Sequence, residues 1–336
     1  MSALPSGKVV PEGRLRQRLL ERAVRVARSR RGKLVLAAGS GAFALGFVLL
    51  AARHFADAAW PLSNGHPGLL VAVGLLFMLA YALKAYGWRR LFAADERPQP
   101  IALAAANGGA SVGGIALPGR FDDVIRIAIV RRYPGCPAGV RALCLSLVML
   151  GLIDSAALAP LAGAAASMGH ATSVRAGLAV VSAAGIAAAV LILALPRLVA
   201  SRQLVRFRLG RWLSPRTTSF RGATEAWALI SACWLVRAVA LFLLLGALGA
   251  GFSFPLALLF LSAGAAAAAL PVGPAAAATQ AGAGAAVLIA SGVGASQAVG
   301  VAIAAQALGV LTGGAILLFA SLWRASLRFA PTGATA

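Results

Sequence analysis

The stretch Asn107–Arg132 reads NGGASVGGIALPGRFDDVIRIAIVRR, and it decides how the rest of the chain is read. A run of small apolar residues stops at Pro118-Gly119, and Arg120, Asp122, Asp123 and Arg126 then follow within less than two helical turns. Pro118 fixes φ and cannot donate a hydrogen bond, and Gly119 lets the backbone turn closely, so a new helix is expected to begin near Arg120. Asp122 and Asp123 then fall in its first turn, where the positive end of the helix suits a carboxylate. Arg126 sits four residues after Asp122 and three after Asp123, the spacings at which side chains on a helix meet.

The setting makes this cluster unusual. The chain of 336 residues is 60% hydrophobic and only 12% charged, with a mean hydropathy of +0.86. Six windows are long and apolar enough to cross about 30 Å of hydrocarbon: 34–52, 67–88, 142–168, 174–196, 226–250 and 297–320. The fold class is therefore an all-α polytopic membrane protein. The first window follows a polar segment without a convincing cleavage site, so it reads as a retained span. Two further apolar stretches, 101–117, which ends at Pro118, and 256–291, which contains Pro271 and Pro274, read as re-entrant segments, with a double crossing as the alternative for 256–291. A charged cluster in such surroundings is a functional-site hypothesis by default.

The net charge of +22 does not point to nucleic acid, because its placement follows membrane topology. With the N-terminus inside, 28 of the 31 Lys and Arg residues fall on the inner side, leaving only Arg53, Arg175 and the intramembrane Arg237. Both termini are expected in the cytoplasm, and the location is the cytoplasmic membrane. Residues 1–33 interleave arginines with leucine and valine, the pattern of a basic amphipathic segment on an anionic leaflet. Arg197–Arg221 repeats the pattern and reads as a surface helix, while 326–336 form a short tail. Cys136, Cys144 and Cys233 form no CxxC pair, and three histidines give no metal-ligand spacing, so no metal or cofactor is expected. No GxxxxGK[ST] motif offers an ATP site.

The chain also carries a repeat. Ala116-Leu117-Pro118-Gly119 has a counterpart in Ala269-Leu270-Pro271-Val272-Gly273-Pro274, and each follows the second span of a three-span half. The halves are 34–168 and 174–320. An odd number of spans per half places them in opposite orientation, as in many transporters. The alternative is close helix packing through Ala and Gly, with the prolines acting as simple kinks.

Guanidinium groups beside an apolar surface suit a phosphate oxyanion, because Arg offers a bidentate fork. Arg120 and Arg126 are thus the candidate headgroup ligands, with Asp122 and Asp123 orienting or releasing them. A self-neutralised interfacial helix is the competing reading. Asn107 and Gln280 are candidate substrate contacts, since a buried amide needs partners, although interhelical hydrogen bonds serve equally well. Ser111 and Thr279 are similarly placed polar residues near the two breaks. Asp154 and Arg237 lie near the middles of their spans, where an unpaired charge costs about 2.5–3.5 kcal/mol on insertion scales. A pair between them would relieve much of that; two separate cavity-facing residues are the alternative.

ALPGRFDDVIRIAIVRR, with the later ALPVGPAAAATQAGAG, resembles the flippase-like membrane family related to the transmembrane region of lysylphosphatidylglycerol synthase. The family's first motif is matched at Pro118, Gly119, Arg120, Asp122, Asp123 and Arg126. Its second motif is matched at Pro271, Gly273 and Pro274, but Gln280 stands where an acid is expected, and no Arg follows near Gln306. The resemblance covers roughly 34–325 and implies binding or movement of an anionic polar lipid across the bilayer. The sixteen residues after the last span leave no room for the soluble aminoacyltransferase domain of the synthases, so a non-enzymatic role is expected. A membrane subunit or anchor for a lipid-modifying or cell-envelope enzyme is the alternative function. The expected partners are therefore a membrane lipid and, on the alternative, a membrane enzyme.

Overall fold

The computed structural model describes residues 62–63, 65–116, 121–169, 171–200, 220–269 and 276–329. These fold into nine α-helices and one short 3-10 turn: α1 Pro67–Arg89, the turn Ala94–Glu96, α2 Pro100–Ala116, α3 Phe121–Arg132, α4 Val140–Met168, α5 Thr172–Ala200, α6 Phe220–Ala247, α7 Phe254–Ala269, α8 Ala276–Ala290 and α9 Ala295–Phe329. No strand occurs among the described residues. Five helices are long and apolar enough to cross a membrane, namely α1, α4, α5, α6 and α9. They match five of the six windows read from sequence. The first window (34–52), the basic segment 1–33, the tail 330–336 and most of the expected surface helix 197–221 lie outside the described residues. Positions 197–200 continue α5.

Local chemistry sets the helix ends. Pro67 opens α1 with its φ already set for a helix, and Pro100 opens α2 in the same way. The Ser253 hydroxyl accepts a bond from the Leu256 N–H at the start of α7. Gly249 closes α6 with φ +74, which lets the Ala250 N–H reach the Leu245 carbonyl at 2.9 Å; Gly292 at φ +91 closes α8 likewise. The spanning helices are apolar on every side. Val71, Leu75, Leu79, Val180 and Leu318 are exposed, as expected where the surroundings are lipid rather than water.

The four helices too short for the spanning class pack as two antiparallel hairpins, and glycines set their registers. A Cβ on Gly113 would collide with Ile125, and one on Gly109 with Ile129, so α2 and α3 pair about position 119. In the second hairpin Gly264 lies against the Gln280 carbonyl, and Gly284 against the Phe260 ring, so α7 and α8 pair about position 272. Those midpoints fall in sequence at Pro118-Gly119 and Pro271-Val272-Gly273, the two breaks read as the repeat. Residues 117–120 and 270–275 themselves lie outside the described residues.

Helix pairings exchange between the halves. The α1–α2 contact has its counterpart in α6–α7, α1–α9 in α6–α4, α2–α9 in α7–α4, and α3–α4 in α8–α9. The equivalent helices α1 and α6 pack on each other. Three full-length helices separate the hairpins, so α2–α3 and α7–α8 open at opposite ends of the bundle.

Candidate functional site

Arg126 lies halfway along α3, a helix held against α2 only because Gly109 and Gly113 leave room for Ile129 and Ile125. Its Nη1 stands 2.6 Å from Asp123 Oδ1 and 3.2 Å from Asp122 Oδ2. The expected first-turn carboxylates are therefore in place, and both close on the same guanidinium. The Arg126 side chain keeps 20% of its surface, whereas Asp122 and Asp123 keep 34% and 37%. The arginine is thus the inner member and the carboxylates the outer ones. Among the described residues its Nε is buried with no hydrogen-bond partner. Arg120, Pro118, Gly119, Pro271, Gly273 and Pro274 lie outside the described residues.

The cluster is not at the mouth of its hairpin. Pairing about position 119 puts Arg126 abreast of Val112, about 18 Å along α2 from Pro100 at 1.5 Å per residue. Val112 packs on Gly314 of α9, and Ser111 donates to the Gly309 carbonyl at 3.1 Å. From the opposite side the Tyr81 hydroxyl of α1 donates to that same carbonyl at 3.0 Å. A Cβ on Gly108 would collide with the Gly313 backbone, so the α2–α9 contact is backbone against backbone.

Tyr81 leads to the second charged group. The Arg237 guanidinium carbon lies 5.8 Å from the Tyr81 ring centre and 5.4 Å from that of Trp234. Trp234 Nε1 in turn donates to Asp154 Oδ1 at 3.2 Å, and Lys84 Nζ lies 2.7 Å from Asp154 Oδ2. This corrects the pairing expected from depth alone. The ion-pair partner of Asp154 is Lys84; Arg237 makes no salt bridge to it and lies over the Trp234 ring that donates to the same carboxylate. The positive-inside count places Lys84 on the inner side; its side chain is instead 13% exposed and paired with Asp154 of α4. The signal for it was available, since Lys84 falls inside the apolar window 67–88.

Asn107 is 3% exposed, and neither its amide nitrogen nor its oxygen has a hydrogen-bond partner among the described residues. The interhelical bonds that sequence reasoning weighed for it are absent. It lies one turn before Ser111 on the same side of α2. Gln280 is partly buried on α8, and its backbone carbonyl lies against Gly264 of α7. Thr279 beside it is also partly buried. Glu225 bridges Arg90 of α1 at 3.2 Å and Arg221 at 3.1 Å, an interfacial role at the basic end. Tyr133, just past α3, has a buried hydroxyl without a partner. Burial pushes its phenol up from the ordinary value, and nearby Arg324 pulls it partly back. Among the described residues no group of three His, Cys, Asp or Glu could hold a metal ion, and the three cysteines are free.

Helices apolar on all sides and two hairpins opening at opposite ends define a polytopic helical membrane protein that holds charged side chains inside the bundle. A family model described as the lysylphosphatidylglycerol synthase TM region matches residues 30–326, and the chain belongs to that family. No curated protein and no solved structure matches the chain.

Proposed function

We propose that this protein binds an anionic polar lipid and carries its headgroup across the cytoplasmic membrane, without itself catalysing a covalent step. The observation that carries the reading is the clamp on Arg126. A guanidinium deep in a hairpin is held by two more exposed carboxylates, and its inner nitrogen has no partner. A phosphate oxyanion matches that fork and can take the place of either carboxylate, giving charge-assisted hydrogen bonds to Arg126. The displaced carboxylate stays within a turn and can recapture the arginine, which releases the headgroup. Arg120 adds a second cation in sequence beside the clamp. On this reading Asn107 and Gln280 offer neutral hydrogen bonds near the two breaks, and the basic end faces the cytoplasm with both termini.

The test is exchange of labelled anionic phospholipid in proteoliposomes, comparing wild type with Arg126→Ala and with Asp122→Asn/Asp123→Asn. The arginine variant should lose exchange. The double carboxamide variant should hold headgroups more tightly and exchange them more slowly, because release has lost its competitor. Wild-type vesicles that exchange no faster than protein-free ones, together with co-purification of a lipid-modifying enzyme, would turn the reading to a membrane subunit of that enzyme.

A further inference from the structure

The carboxylates of the bundle are nearly all taken. Asp122 and Asp123 hold Arg126, Asp154 holds Lys84, and Glu225 holds Arg90 and Arg221. Asp95 and Glu96 lie in the short turn after α1. Among the described residues none remains for Arg237, which sits in the interior of the spanning helix α6. Among the described residues Arg237 makes no hydrogen bond or salt bridge, and its Nε is buried without a partner. Its guanidinium lies over two aromatic faces, and Asp154, already paired with Lys84, acts on it only at longer range.

Lys84 and Asp154 cancel, so this layer keeps one net positive charge at membrane depth. Each cation–π contact returns about 0.5–2 kcal/mol against an insertion cost of about 2.5–3.5 kcal/mol, so the two rings offset much of the cost without neutralising the charge, and an anion at the guanidinium would complete the arrangement. Tyr81 and Trp234 cannot supply it. Each has its donor group committed, to the Gly309 carbonyl and to Asp154. Those bonds fix the two rings as walls and leave the edge of the guanidinium as the free donor surface. Arg237 is only partly buried, so that edge is not sealed on all sides.

We infer that Arg237, walled by Tyr81 and Trp234, is a second anion-binding site that takes a phosphate-type oxyanion. It rests on the anionic-lipid reading above. Tyr81 and Ser111 meet at the Gly309 carbonyl, and Ser111 lies beside Val112, the residue abreast of Arg126. Arg237 is thus linked through Tyr81 to the α9 carbonyl that Ser111 also meets, and Ser111 adjoins the residue abreast of Arg126.

Trp234 supplies the readout. Protein in phosphatidylcholine nanodiscs is titrated with sodium phosphate in one arm and with increasing phosphatidylglycerol in the other. Emission from Trp234 is isolated by subtracting the Trp234→Phe variant. Wild type should respond saturably. Arg237→Gln should need at least about tenfold more anion, the loss of one charge-assisted contact. Arg237→Lys, which keeps the charge without the fork, should fall between them. A response in the phosphate arm identifies free anion as sufficient, and a response in the lipid arm alone identifies the headgroup; either supports the site. Arg237→Gln titrating like wild type, or no Trp234 response in either arm, overturns it. Arg126→Ala separates the two readings. Lost exchange in that variant with an Arg237-independent Trp234 signal leaves the first site standing and removes the second. The opposite pattern removes the first and keeps the second.

Discussion

Lys84 Nζ and Asp154 Oδ2 stand 2.7 Å apart between α1 and α4, and Trp234 of α6 donates to the other oxygen of the same carboxylate. One carboxylate thus ties three spanning helices together. Trp88 adds a parallel tie one turn on, donating to Ser146 Oγ at 2.9 Å.

That pairing can be tested by a thermodynamic cycle. Lys84→Met or Asp154→Asn alone strands the partner charge in a mostly buried site, and each should cost about 2–4 kcal/mol in detergent unfolding. The double variant should cost less than the sum of the singles by about 1–3 kcal/mol. Exchanging the charges of residues 84 and 154 should restore stability, whereas exchanging those of 154 and 237 should not.

Glycine contacts in the first hairpin separate two kinds of crowding. Gly113→Ala meets the end of the Ile125 side chain, which can rotate away, so the cost should stay within about 1 kcal/mol. Gly108→Ala meets the Gly313 backbone, which cannot. It should prise α2 from α9 and cost about 2–3 kcal/mol, near the upper end for overpacking. Thermal unfolding of the two variants side by side gives the comparison, and equal costs would contradict the backbone contact.

Asn107 offers a stability–function contrast. Replacing a buried amide that has no partner with leucine removes an unsatisfied group, so Asn107→Leu should leave stability unchanged or raise it by about 1 kcal/mol. On the proposed reading the same change should slow lipid exchange severalfold. A variant that is less stable and exchanges normally would mark Asn107 as an architectural residue only.

Opposite opening of the hairpins predicts opposite labelling. Cysteine in place of Gln99, at the mouth of α2, and in place of Ser253, at the mouth of α7, should react with an impermeant thiol reagent from different sides of the membrane. With the basic end inside, position 99 reacts from the cytoplasm and position 253 from the outer face. Reaction of both from one side would break the inverted arrangement of the halves.

Much of this was legible in the sequence, and the remainder failed for identifiable reasons. Five of the six spans were set by length and hydropathy, and the α2–α3 hairpin by Pro118-Gly119 and the charged residues that follow it. The Asp122–Arg126 and Asp123–Arg126 pairs followed from helical spacing alone. Partners across helices did not. Depth suggested Arg237 for Asp154, but choosing between Lys84 and Arg237 depends on which faces of α1, α4 and α6 turn inward. An apolar helix in lipid carries no amphipathic stripe to reveal that. The registers were hidden similarly, because the glycines at 108, 109 and 113 look alike in sequence while one meets backbone and two meet isoleucine.

On the proposed reading Arg126, clamped by Asp122 and Asp123, is where an anionic headgroup binds. The most direct measurement is leaflet exchange of fluorescent phosphatidylglycerol in proteoliposomes, with wild type, Arg126→Ala and Arg126→Lys at equal incorporation. Wild type should exchange the lipid, Arg126→Ala should drop by about tenfold or more, and Arg126→Lys should recover part of the rate, because it restores charge without the bidentate fork. Exchange in Arg126→Ala at the wild-type rate would contradict that reading.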